Sequence, residues 1–133
     1  MPSEKEISLS IYRLERAKEM LCDAGSLFEK GSYKSSNNRA YYSIFHAMRA
    51  VLALRNIDFK KHSAVIQYFQ KEYVKTKIFG NECSDIIMSA SKIRNSSDYD
   101  DFFIATRDET QKQLKNAETF YEIINMYIIN IVK

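Results

Sequence analysis

Arg39-Ala40-Tyr41-Tyr42-Ser43-Ile44-Phe45-His46-Ala47-Met48-Arg49-Ala50-Val51-Leu52 is the stretch on which the fold turns. Tyr42, Phe45, Met48 and Val51 recur at steps of three, with Leu52 and Leu54 continuing the series, which lays an apolar stripe along an α-helix. Candidate N-caps run from Ser35 to Asn38, and the helix is expected to stop near Arg55-Asn56.

The same period continues on both sides. Ile7, Ile11, Leu14, Ala17, Leu21, Ala24 and Phe28 mark a helix from about residue 4 to about 29, opened by a Ser3/Glu6 capping box and closed by Gly31. Downstream, the link Ile57-Asp58-Phe59-Lys60-Lys61 leads to a third helix bearing Val65, Ile66, Phe69 and Tyr73 and ending before Gly80. A fourth carries Ile86, Ile87, Ala90 and Ile93, with Arg94 in its last turns, and an acidic loop is expected from Asp98 to Asp101. After Phe102-Phe103 a final helix starts near Thr106 and reads Leu114, Ala117, Tyr121, Ile124, Ile128, Ile131. Ile123, Ile129 and Val132 widen that stripe, as a partner surface or burial in a bundle would. One proline and three glycines in 133 residues are too few for a turn-rich β fold. The expectation is a single all-α domain over residues 1–133.

Composition excludes several classes. The polar N-terminus lacks a leader pattern and no apolar run reaches membrane-spanning length, so a soluble cytoplasmic protein is expected. Cys22 and Cys83 have no CxxC spacing and read as reduced core thiols. His46 and His62 stand in no ligand spacing with them, and Asp98, Asp100 and Asp101 lack the glycine and terminal glutamate of a calcium loop. No phosphate-cradling glycine loop or nucleophile elbow occurs, so no metal or cofactor is expected. The net charge of +3 is unevenly spread: residues 30–77 hold ten Lys/Arg against Asp58 and Glu72, a net of +8, offset by −2 before and −3 after. A basic face for phosphates or an acidic partner would produce this bias, as would lysines radiating into solvent.

Two clusters carry candidate chemistry. Arg39, Tyr42, His46 and Arg49 follow steps of three, four and three, which places them on one side of the second helix. There the guanidinium groups would take phosphate oxygens, Tyr42 would stack on a base and His46 would move a proton. The alternative is that Tyr42 is core, that His46 is a buried hydrogen-bonded ring and that the arginines pair with acids. The second cluster is Lys92-Ile93-Arg94-Asn95-Ser96-Ser97-Asp98-Tyr99. Arg94, beside apolar Ile93, needs acceptors, and Asp98 four residues on is the structural choice. A functional Arg94 would steady a phosphate with Asn95 orienting it.

These residues resemble the HEPN family of helical nucleotide-binding-type domains, most nearly its small stand-alone prokaryotic members, over roughly Ile7 to Ile128. The carriers are the Arg39–Leu52 stretch, Lys61-His62-Ser63 and Arg94-Asn95-Ser96-Ser97-Asp98-Tyr99. The resemblance implies an up-and-down bundle of four long helices with a short extra one, and a homodimer pairing two copies of the Arg-bearing helix. It further implies metal-independent endoribonuclease toxins among the relatives, or subunits encoded beside a minimal nucleotidyltransferase. The nuclease motif is an arginine, a polar residue and a histidine after four to six intervening residues. Arg94 and Asn95 match its first half, but Tyr99, Asp100 and Asp101 stand where the histidine would fall. Two expectations follow: a subunit that binds RNA or a nucleotide through Arg39, Tyr42, Arg49 and Arg94 with a degenerate nuclease motif, or an endoribonuclease using Arg94 with His46 or Tyr99. Tyr99 is also the candidate for nucleotidylation by a partner enzyme.

Overall fold

The structure, a computed structural model, describes residues 1–133. Helices α1 (Glu4–Glu29), α2 (Tyr33–Ala53), α4 (Asn81–Tyr99) and α5 (Arg107–Val132) form the bundle, and the short α3 (His62–Phe69) bridges α2 and α4. The Ser3/Glu6 capping box is formed, with Ser3 Oγ accepting from Glu6 N and Glu6 Oε1 accepting from Ser3 N. Thr106 caps α5 by accepting from Glu109 N. Gly31, at φ 79°, lets Ser32 N donate to Leu27 O, which closes α1 and reverses the chain into α2.

Three expectations need correction. Helix α2 begins at Tyr33, ahead of the polar run Ser35–Asn38, because that turn is held by burial: Ser36 and Asn37 are buried, and Ser36 Oγ donates to Ala24 O of α1. The acidic segment is not all loop, since α4 continues through Asp98 to Tyr99. Helix α3 ends as a regular helix at Phe69 and widens into a π turn, Gln70–Val74, closed by Lys75 N donating to Gln70 O.

Helices α1 and α2 meet along a seam of small residues. Ser10, Ala17 and Ala24 on α1 and Ser36, Ser43 and Ala50 on α2 recur every seven residues. At three successive levels a serine hydroxyl donates to a carbonyl of the facing helix: Ser10 to Ala50 O at 2.7 Å, Ser43 to Ala17 O at 2.8 Å and Ser36 to Ala24 O at 2.7 Å. Such bonds satisfy buried hydroxyls and allow close backbone approach. The core continues into an aromatic knot in which Phe69 stacks on Tyr73 and Phe79 and tilts against Phe120, which fastens α3 and the π turn to α5. Cys83 lies in this core, where burial pushes its thiol up to about 11. Cys22 is instead exposed, in an open groove between α1 and α5 beside Leu114 and Glu118. No helix is long and apolar enough to cross a membrane.

Candidate functional site

The site forms where the N-terminal half of α2, the start of α3 and the last turns of α4 converge. Tyr41 is its hub. The Tyr41 hydroxyl lies 3.0 Å from His62 Nδ1, and the guanidinium of Arg94 sits 4.8 Å from the Tyr41 ring centre and 5.8 Å from that of Tyr42. His62 also stacks on Phe45, with centroids 4.0 Å apart and planes 26° apart. A guanidinium over two electron-rich faces is a cation–π arrangement, which orients Arg94. Its Nε approaches Asp98 Oδ2 at 3.6 Å, too long for a hydrogen bond, and is buried without a partner.

Next to this cluster opens a cleft of about 490 Å³ lined by Phe45, Arg49, Asp58, Phe59, Lys60 and His62. One wall is an ion-paired bridge: Asp58 Oδ2 accepts from Arg13 Nη2 and Arg49 Nη2, each at 3.0 Å, and Asp58 Oδ1 accepts from Phe59 N at 2.9 Å. Partial burial would raise the Asp58 carboxyl, but the hydrogen bonds from Arg49 and the charges of Arg13 and Arg49 outweigh it and hold it below the usual carboxylate value. Arg94 does not line this cleft and reaches it through Tyr41.

The expected residues separate. Tyr42, His46 and Arg49 stay near one another, with Tyr42 and His46 rings 6.1 Å apart and Arg49 5.9 Å from the Phe45 ring centre. Arg39 is exposed and hydrogen-bonds its neighbour Asn38, away from the cleft. Asn95 is exposed on the outward face of α4 with Met88, Ser91 and Lys92, one helical position round from Arg94. Tyr99, 84% exposed, stands at the end of that face and not beside the Arg94 guanidinium. The basic segment also divides, since Arg49 is paired with Asp58 while Arg55 lies over Tyr73. His62 and Tyr41 were not among the expected site residues, although both lie in stretches that carried the resemblance. Only the docking of α3 on α2 brings His62 to Tyr41, across 21 residues of sequence.

The two histidines have different roles. His46 faces the α1 arginines and makes no hydrogen bond. Burial, reinforced by the charges of Arg16, Arg49 and Arg13 and by His62, pushes it down to about 4. An unfolded histidine titrates near 6.5, so from about pH 6.5 down to about 4 the unfolded chain takes up a proton that the folded chain refuses. Stability therefore falls as pH drops through this window, by about 1–2 kcal/mol after allowing for the ring's partial solvent exposure. Urea midpoints at about pH 7 and about pH 4.5 measure the loss, which should shrink in His46→Gln; an undiminished loss would assign the acid sensitivity to other groups. His62 is lowered less, by burial and then by the charges of Arg94 and Arg49. Tyr41 is raised by burial above its ordinary value despite Arg94, so it remains a phenol at neutral pH.

Comparison with known proteins adds a family and its members. The model of the HEPN domain matches residues 11–127. A Methanocaldococcus jannaschii protein designated a candidate toxin is 31% identical over 122 residues, covering 90% of this chain and 83% of the relative. A second such protein from the same organism is 33% identical over 129 residues, 96% of each chain. A Thermotoga maritima protein of the UPF0332 group is 30% identical over 126 residues, 95% of each chain.

Proposed function

The chain belongs to the HEPN domain family, and from that premise we propose that it is an RNA-binding subunit of toxin type, which holds single-stranded RNA or a nucleotide at the Tyr41/Tyr42/Arg94 cluster and the adjoining cleft. The observation that carries this reading is Arg94: a guanidinium held over two tyrosine faces and only loosely paired with Asp98, at 3.6 Å. A phosphate oxygen is an acceptor that the outer N–H groups of such a guanidinium fit. Tyr42 and the His62 ring offer faces for bases, and Arg49, Lys60 and Lys61 add positive charge along the same side.

We further propose that two chains pair through the outward face of α4. Met88, Tyr99, Phe102 and Ile104 are exposed along and just beyond it, and single apolar residues scattered over a monomer seldom line up in this way. The family resemblance supports a minimal nucleotidyltransferase as the partner protein, and two relatives designated candidate toxins support a place in a toxin–antitoxin or defence module.

One experiment tests the reading. Fluorescence anisotropy with a mixed-sequence single-stranded RNA, in EDTA, should show binding whose log affinity falls with log salt at a slope of about −1.5 to −3, as two to four phosphate contacts require. A flat titration would remove the RNA reading. Light scattering on the same sample at micromolar concentration should give the mass of two chains, and a monomer would remove the pairing alone. Co-expression with a minimal nucleotidyltransferase should yield a co-eluting complex; separate elution would remove that partner.

A further inference from the structure

We propose that the cavity at the end of the bundle, where the C-terminal end of α2, the π turn and α5 meet the start of α1, binds a free apolar α-amino acid. The site shares no lining residue with the α2/α3/α4 cleft, and the proposal stands independently of the RNA reading. The cavity measures about 390 Å³. Leu54, Tyr127 and Ile131 give it apolar wall, and Arg55, Tyr73 and Glu6 bring polar groups to it.

Backbone bonds hold the frame. Asn56, at φ 57°, closes α2: its N–H donates to Ala53 O and that of Ile57 to Leu52 O, which turns the chain directly after Arg55. Tyr73 comes from the π turn Gln70–Val74, where Phe79 N donates to Tyr73 O at 2.9 Å and Phe69 and Phe79 pack against its ring. Widened turns of this kind are frequent at functional sites.

Each of the three polar groups keeps hydrogen-bonding capacity that the chain does not use. Arg55 makes no ion pair or hydrogen bond, and its guanidinium lies over the Tyr73 ring, 4.6 Å from the centre. Glu6 accepts from Ser3 N through Oε1, which leaves Oε2 free. Tyr73 is 1% exposed, yet its hydroxyl has no partner in the chain. Burial pushes that hydroxyl up to about 12 despite Arg55, so it stays a phenol with a proton to donate. An acid and a base on one cavity could neutralise each other, but Arg55 and Glu6 are too far apart to pair.

A zwitterion with an apolar body matches this arrangement. Its carboxylate would take the Arg55 N–H groups and the Tyr73 hydroxyl, its ammonium would take Glu6 Oε2, and a branched side chain would lie on Leu54, Tyr127 and Ile131. A plain carboxylate would face the Glu6 charge unpaired, and a plain amine would face that of Arg55.

The test is isothermal titration calorimetry on untagged protein, because Met1 and Ile131 both line the cavity. L-leucine should bind with a Kd of about 1 mM or tighter, within the reach of so small a ligand. Glycine lacks the side chain, isocaproate the ammonium and isopentylamine the carboxylate, and each should bind roughly tenfold more weakly or worse. Arg55→Ala should weaken L-leucine about tenfold or more, and Tyr73→Phe about three- to tenfold. Both should retain helical circular dichroism, since Arg55 is exposed and phenylalanine preserves the ring of the aromatic knot. Glu6→Gln keeps the capping pattern of α1 and should weaken L-leucine but not isocaproate, a dependence on ligand charge that a merely structural Glu6 would not produce. No binding of L-leucine well above that concentration, or glycine binding equally well, would overturn the proposal. Undiminished L-leucine binding in Arg55→Ala would overturn the assignment to this cavity.

Discussion

Arg94→Ala is expected to weaken single-stranded RNA binding by about 1.5–3 kcal/mol, roughly ten- to a hundredfold, the worth of hydrogen bonds to a charged partner. The size follows from how little else Arg94 does. Its contact with Asp98 is an Nε approach at 3.6 Å between partly exposed side chains, which contributes little to stability. Its stacking on Tyr41 and Tyr42 orients it. The variant should therefore keep its urea midpoint within the shift that loss of a partly buried cation–π contact allows, about 1–2 kcal/mol. Arg94→Lys should recover only part of the affinity, because an ammonium restores the charge but not the planar fork. Anisotropy and urea titration on the same preparations decide the matter. A variant that unfolds would make Arg94 a structural residue, and one that binds RNA as wild type does would move the phosphate site elsewhere.

The second large effect concerns the scaffold. Phe69→Ala is expected to cost about 3–5 kcal/mol, a large part of the stability of a domain this size. Phe69 is fully buried and lies 5.4 Å from Tyr73, 5.4 Å from Phe79 and 5.9 Å from Phe120, so its removal opens a cavity among rings that α5 and the π turn hold in place. It also ends the helix whose first residue is His62. Urea denaturation gives the loss directly, and amide exchange should show α3 opening at lower free energy than α1 and α2. A loss below about 1 kcal/mol would show that the knot repacks and that α3 is anchored elsewhere.

Much of the scaffold was legible before any coordinates. The apolar stripes set α1 and α5 nearly to the residue, and the Ser3/Glu6 box announced the start of α1. Errors gathered where tertiary burial overrode a local preference. Ser35–Asn38 read as a cap, yet Ser36 gives its hydroxyl to Ala24 O inside the α1/α2 seam. That seam had a visible signal, small residues recurring every seven positions on both helices, which an apolar stripe count passes over. Arg94 was singled out for needing an acceptor. The structure shows Asp98 as an ion-pair partner at 3.6 Å and adds two tyrosine rings that hold the guanidinium.

The sequence by itself determined the helices, the N-caps of α1 and α5, the all-α class and the family, because helical hydrogen bonds and apolar stripes are local and are written within a few residues of one another. Only the tertiary structure decided the site. Tyr41, His62 and Arg94 come from three helices, and no periodicity within one helix records how far another is displaced when it packs. The packing of Phe45, Phe69 and Phe120 sets the seat of α3 and brings one histidine, His62, to the Tyr41 hydroxyl, while the other, His46, faces the α1 arginines.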